Sequence, residues 1–231
     1  MKQSMLLFLS GLTVFGTGLV PLAAQPAKFE SALEKTERED FTGAIQDLKT
    51  TAVWFEQRQD DANAYKSRVL ADYLQWLETR KINFERGVDE ALPFFYQLGS
   101  CLGADCAYSL VWVNPESEAN RYGGVLILEK NLRMISHPDG SGIPVVAIVD
   151  VQIVPSLKSN ETIMIDCTSP QIKGKDTYLF ALVQPLGQDD EEYYTQIRQA
   201  WKIEPRLEKI ETLPSENLKQ IRCVNPCPGG C

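Results

Sequence analysis

Ile143 to Val154 reads IPVVAIVDVQIV, the longest β-branched apolar run downstream of the N-terminal leader. From Val145 onward an extended strand places Val145, Ala147, Val149, Val151 and Ile153 on one side, the expected core face of a sheet. The other side carries Val146 and Ile148, then Asp150 and Gln152. The strand is therefore expected to be covered on both sides at its start and on one side later. Asp150 and Gln152 become the first residues to inspect for a site if they are buried with partners.

Around this strand the texture from Gly99 onward is β-rich. Ala107 to Val113, Gly124 to Glu129, Leu132 to Ile135, Thr162 to Asp166 and Thr177 to Val183 are short runs bounded by Gly, Pro, Asn or Asp. Short connectors favour antiparallel pairing, because parallel neighbours need a long crossover. The acidic run Gln188 to Glu192 suits the start of a helix carrying Tyr193, Tyr194, Ile197, Ala200 and Trp201. Arg206 to Thr212 reads as a closing strand. Residues 25–98 instead carry helical periodicity. Phe41, Ala44, Ile45, Leu48, Ala52 and Phe55 form one stripe, and Tyr65, Val69, Tyr73, Leu74 and Leu77 another, with Asp60 or Asp61 as cap. Asn83 is placed to cap a fourth helix that Pro93 ends. On pattern alone these helices either cover the sheet or form a small bundle.

The fold class is thus α+β: N-terminal repeat-like helical hairpins, then a mainly antiparallel β-sheet domain with one long C-terminal helix. The expected division is 1–24 signal peptide, 25–98 helical domain, 99–213 β-rich domain and 214–231 Cys-rich tail. The leader has Lys2 as its positive region, an apolar Met5 to Val20 loosened by Gly11, Gly16 and Gly18, and small residues at Ala23-Ala24. Export with cleavage near Ala24, to the periplasm or the medium, is expected, with no membrane span in the mature chain.

The 231 residues carry a formal charge of -8, which removes nucleic acid and anionic lipid from the expected partners. The six cysteines, Cys101, Cys106, Cys167, Cys223, Cys227 and Cys231, are an even count in an exported chain and point to disulfides. About 15 full pairings are possible. Cys101 and Cys106 are close enough to close a small loop. Pro226, Pro228, Gly229 and Gly230 forbid a helix in the tail, which reads as an irregular, crosslinked or flexible end. The tail spacing would admit zinc, yet no histidine lies near it and an oxidising compartment consumes thiolates, so no metal site and no cofactor are assigned. His137, the single histidine, sits in Ser136 to Gly142 (SHPDGSG), whose composition is that of a turn. No catalytic residue is assigned.

The stretch Glu39 to Leu74, EDFTGAIQDLKTTAVWFEQRQDDANAYKSRVLADYL, resembles the tetratricopeptide repeat: Phe41 takes the aromatic slot, Gly43-Ala44-Ile45 and Asp47 follow, then Asp61-Ala62, Ala64-Tyr65 and Arg68. The resemblance implies protein or peptide binding in a groove. Tyr65 and Trp76, aromatics at helical spacing, are the candidate partner-binding residues, and with export expected the partner is another envelope protein. Ile165-Asp166-Cys167, Tyr178 to Val183, Arg198 to Trp201 and Ile221 to Asn225 resemble exported bacterial proteins with no defined activity. That likeness implies that Cys167 pairs with Cys223. The preferred pairing is then completed by Cys101 with Cys106 and Cys227 with Cys231. The function expected is non-enzymatic protein binding in the envelope. The competing expectation is an envelope enzyme or small-ligand binder with a pocket between helices and sheet.

Overall fold

The computed structural model describes residues 24–87, 96–103, 105–115, 121–172, 174, 177–185 and 192–226. The leader up to residue 23, the stop expected at Pro93, most of the acidic run before Tyr193, and Cys227 and Cys231 lie outside them.

Three helices come first, α1 (Ala24–Glu37), α2 (Phe41–Glu56) and α3 (Asp61–Glu85). Asp40 and Asp60 accept from the backbone N–H groups of Gly43 at 2.9 Å and Asn63 at 3.2 Å, which starts α2 and α3 where their apolar stripes begin. The fourth helix is not found: Asn83 lies in the last turn of α3, which continues through the expected break to Glu85. The tetratricopeptide resemblance is likewise overturned. The helices form no repeat of hairpins; α1 and α3 lie against a sheet, and α2 packs against both of them. The helical stripes are spent on that sheet rather than on a neighbouring repeat.

The strands form two antiparallel sheets. The first contains β1 (Tyr96–Leu102), β2 (Tyr108–Val113), β3 (Tyr122–Ser136) and β4 (Gly142–Pro155), paired in chain order. The second contains β5 (Thr162–Thr168), β6 (Tyr178–Val183), β7 (Tyr193–Tyr194), β8 (Ile197–Glu204), β9 (Lys209–Thr212) and β10 (Arg222–Val224) in the order β7-β10-β5-β6-β8-β9. One core joins the helices to Val111, Val113, Val125, Ile127, Ile148 and Val151 of the first sheet. A second joins the opposite face of that sheet, through Leu110, Trp112, Leu126, Leu128 and Val154, to Phe180, Leu182, Trp201 and Ile203 of the second sheet. The architecture is three layers, helices on sheet on sheet, with the first sheet buried on both faces. The boundary drawn at residue 99 falls inside β1.

Two expectations about the second half change. The stretch from Tyr193 to Trp201 is not a helix: the only α-helix in the second half among the described residues is the short α4 (Ser215–Leu218). Ile197 to Glu204 pairs with β6, Phe180 opposite Trp201, and both Trp201 and Ile203 are fully buried between the sheets. A three- to four-residue spacing of aromatics mimicked a helical stripe, but period-two burial of Trp201 and Ile203 under β6 outweighs it. Within the expected Cys-rich tail, β10 lies between β5 and β7, while residues 227–231, with Pro228, Gly229 and Gly230, lie outside the described residues.

The IPVVAIVDVQIV strand is the centre of the molecule, but its odd face is not continuous. Glu129 pairs with Ile148 and Leu128 with Asp150, so Val149 is bulged out and the alternation inverts. Ile148 and Val151 therefore both face the helices, while Val154 faces the second sheet. At the start of β3, Gly124 has φ +105 and a Cβ there would meet the Val113 carbonyl at 2.2 Å. That close approach lets the Trp112 indole donate to the Gly123 carbonyl at 2.7 Å.

Candidate functional site

The bulge in β4 is where all three layers meet through polar groups. The Ile148 N–H, displaced from the ladder, donates to Thr36 Oγ1 of α1 at 2.9 Å. Thr36 is fully buried and its hydroxyl donates in turn to the Leu33 carbonyl at 2.6 Å. Asp150 Oδ1 accepts from the Val151 N–H at 2.7 Å and Oδ2 from the Ile210 N–H of β9, also at 2.7 Å. Gln152 Nε2 donates to the Ile210 carbonyl at 3.4 Å. Asp150 and Gln152 thus hold the edge strand of the second sheet against β4. The groups left unpaired by the bulge are satisfied, as buried polar groups must be.

A second polar centre lies under α3. Val125, Ile127 and Glu129 share one face of β3, so the strand's alternation carries Glu129 into the helix–sheet core, where it is 5 % exposed. Tyr73 Oη of α3 donates to Glu129 Oε1 at 2.5 Å, and Ser109 Oγ of β2 donates to Oε2 at 2.8 Å. Burial pushes this carboxyl above the ordinary glutamate range, while the two hydroxyls and the Arg80 charge pull the other way. The centre can hold a proton on Glu129 at pH values where an exposed glutamate has lost it. Sequence reading passed over Glu129; the signal was its place two residues after Ile127 in GVLILE.

Ion pairs tie the layers at their margins. Glu39, in the α1–α2 turn, accepts from Arg133 of β3 at 2.8 Å on both oxygens and from Lys81 at 3.2 Å. The Arg133 hydrogen bonds, with Lys81 adding to them against a smaller cost of burial, bring its carboxyl to about 2. Lys130 donates to Glu208 at 2.6 Å, joining the first sheet to the turn before β9. Arg198 of β8 forks onto Glu161 at 2.7 and 2.8 Å and reaches the Ser156 carbonyl at 2.8 Å. Burial of Glu161 opposes its ionisation, but the Arg198 and Lys158 contacts outweigh it and the carboxyl is lowered.

The sequence candidates are distributed as follows. Cys101–Cys106 and Cys167–Cys223 are bonded, as preferred. Cys167 and Cys223 stand directly opposite each other on β5 and β10, and the pair closes a long loop. These crosslinks fit an oxidising, exported environment. His137 does sit in the β3–β4 turn, where its Nε2 contacts the Phe84 carbonyl at the end of α3 and its ring meets the Phe84 ring edge-on at 4.2 Å. Tyr65 is fully buried and stacks on Tyr122 at 4.6 Å, so it is a core residue and offers no area to a partner. Trp76 is half-buried, stacked on Tyr73 at 5.9 Å, with the Arg80 guanidinium 5.3 Å above its ring. A comparable pair lies at the C-terminal end of α2, where Arg58 of the α2–α3 turn sits 3.7 Å over Trp54. Val53 beside it is 52 % exposed.

Of the cavities, one between α3 and the start of β4, lined by Phe41, Leu77, Arg80 and Val145, measures about 10 Å³. An open cleft of about 680 Å³ lies beside β10, lined by Thr168, Ser169, Tyr193, Lys219 and Arg222. Among the described residues no cluster of His, Cys, Asp and Glu has the arrangement of a metal site, and no helix is long and apolar enough to cross a membrane. Comparison of the chain with protein-family models, with curated proteins and with solved structures found no match in any of the three.

Proposed function

We propose that this is an exported, non-enzymatic binding protein of the bacterial envelope, released by cleavage near Ala24, that engages another envelope protein through the outer surface of its helical layer. The observation that carries the reading is the surface formed by Val53 and Trp54 of α2 with Arg58 of the turn that follows it, on the helix that packs on α1 and α3 rather than on the sheet. Tryptophan and arginine are the residue types that most often supply the energy of a protein interface. An Arg already stacked on Trp is preorganised, which lowers the ordering cost of binding.

The interior supports a binding surface over a small-ligand pocket. Glu129, Asp150 and Thr36 direct their hydrogen bonds to neighbouring elements of the fold. The cavity at the helix–sheet seam has room for about one water molecule. Purification of the tagged protein from its native envelope tests the reading. A discrete partner is expected with the wild type and should be lost from Trp54→Ala/Arg58→Ala with the circular dichroism unchanged. Identical recovery from the folded double variant would sink it.

A further inference from the structure

The two disulfides have opposite surroundings. Cys167 and Cys223 are 8 % and 0 % exposed, inside the second sheet. Cys101 is exposed and Cys106 half-buried, at the tip where β1 turns into β2. Their Cα atoms are 4.9 Å apart and their sequence separation is 5. Cys106 also holds a left-handed backbone, φ 52, which a residue with a Cβ adopts at a cost of about 1 kcal/mol. The small loop contributes little unfolded-state restraint, so opening it leaves the three-layer core intact.

Both halves of this loop are anchored independently of the sulfur–sulfur bond. Cys101 stays in the β1–β2 ladder opposite Ser109. On the other side Asn131 of β3 donates its Nδ2 to the Cys106 carbonyl and its backbone N–H to the Ala107 carbonyl at 2.9 Å, while Asp105 Oδ1 accepts from the Ala107 N–H at 3.3 Å. A reduced loop would keep its two thiols facing one another.

We propose that Cys101–Cys106 is a site of reversible thiol–disulfide exchange that takes an external dithiol as co-substrate, and that Cys167–Cys223 is a fixed staple. The thiolate of the dithiol attacks the accessible Sγ of Cys101 in line with the bond. That bond breaks, and Cys106 leaves as thiolate and is protonated by solvent. The second thiol, deprotonated to solvent, attacks its partner sulfur in the mixed disulfide and releases Cys101. Two electrons pass from the dithiol, which becomes a disulfide, to the cystine, which becomes two thiols. An oxidised acceptor reverses the sequence, and the anchored loop makes reclosure intramolecular.

The test uses the oxidised full chain in native buffer with dithiothreitol, trapping thiols with iodoacetamide over time and reading each cysteine by peptide mass spectrometry. Cys101 and Cys106 should be alkylated at least about tenfold faster than Cys167 and Cys223, with circular dichroism unchanged, and should reclose when oxidised glutathione replaces the reductant. Equal rates, alkylation only as the folded signal is lost, or failure to reclose would each overturn the proposal. Cys101→Ser/Cys106→Ser should lack the fast phase; a fast phase that persists there also overturns it. Should that variant fail to fold, the wild-type rate ratio still decides.

Discussion

The hydroxyl of Tyr73 on α3 donates to the carboxyl of Glu129 on β3 at 2.5 Å, inside the core that joins the helical layer to the first sheet. This is a buried acid whose solvation is supplied by two hydroxyls, so its proton is linked to folding. Below its usual value of 4.5, folded and unfolded chains both carry the proton and burial costs little. As pH rises past that value the unfolded chain releases it first. The folded state then holds the extra proton, and stability falls with rising pH until the native carboxyl itself ionises. Urea titrations across this range should show that slope in the wild type and not in Glu129→Gln. Tyr73→Phe should cost about 1–2 kcal/mol by leaving one oxygen without its donor.

Glu39 behaves in the opposite sense. Its carboxyl, at about 2 beside Arg133 and Lys81, is depressed from 4.5. The stabilisation is complete above the higher value and is lost as pH falls toward the lower one. Glu39→Gln should therefore be less stable than the wild type at all pH values above the higher value and unfold at a higher pH in an acid titration followed by circular dichroism, with the gap closing as pH falls through that window. Raised salt should narrow it, because the cluster is near the surface.

Asp150 ties β4 to β9 through the Ile210 N–H at 2.7 Å. Asp150→Ala removes that acceptor and should lower stability by about 2 kcal/mol, read as the urea midpoint. Hydrogen exchange should accelerate first at Ile210 and its neighbours in β9. Uniform acceleration across both sheets would contradict the strut.

Arg198 forks onto a Glu161 carboxyl whose side chain is 1 % exposed. Arg198→Ala leaves that carboxylate with only its Lys158 contacts and should cost about 2 kcal/mol, whereas Arg198→Lys, which keeps charge but not the fork, should cost less. Thermal unfolding of the two variants side by side measures the difference.

The α+β class was legible in the sequence. The helical stripes of α2 and α3, the antiparallel texture after Gly99 and the Cys101–Cys106 pair follow from periodicity, short connectors and cysteine spacing, whereas the Cys167–Cys223 pair came only from a resemblance. What was hidden has identifiable causes. The bulge at Val149 inverts the alternation of the central strand, so counting odd and even positions from Val145 fails beyond Ile148. Tyr193 to Trp201 satisfied a helical spacing with residues that also suit strands, and only the buried place beneath β6 chooses between them. Tyr65 fitted a surface motif because a buried and an exposed aromatic look alike in one dimension. Glu129 was legible in its parity with Val125 and Ile127, but its buried partners come from α3 and β2, far away in sequence.

The central claim is that binding occurs on the outer helical surface and not on the far sheet. A photo-activatable residue placed at Val53, 52 % exposed on α2, or at Leu207, 68 % exposed beside β9, tests it most directly in the native envelope. The account predicts a discrete crosslinked species from position 53 and none from position 207. A discrete species from 207 with none from 53 would contradict it.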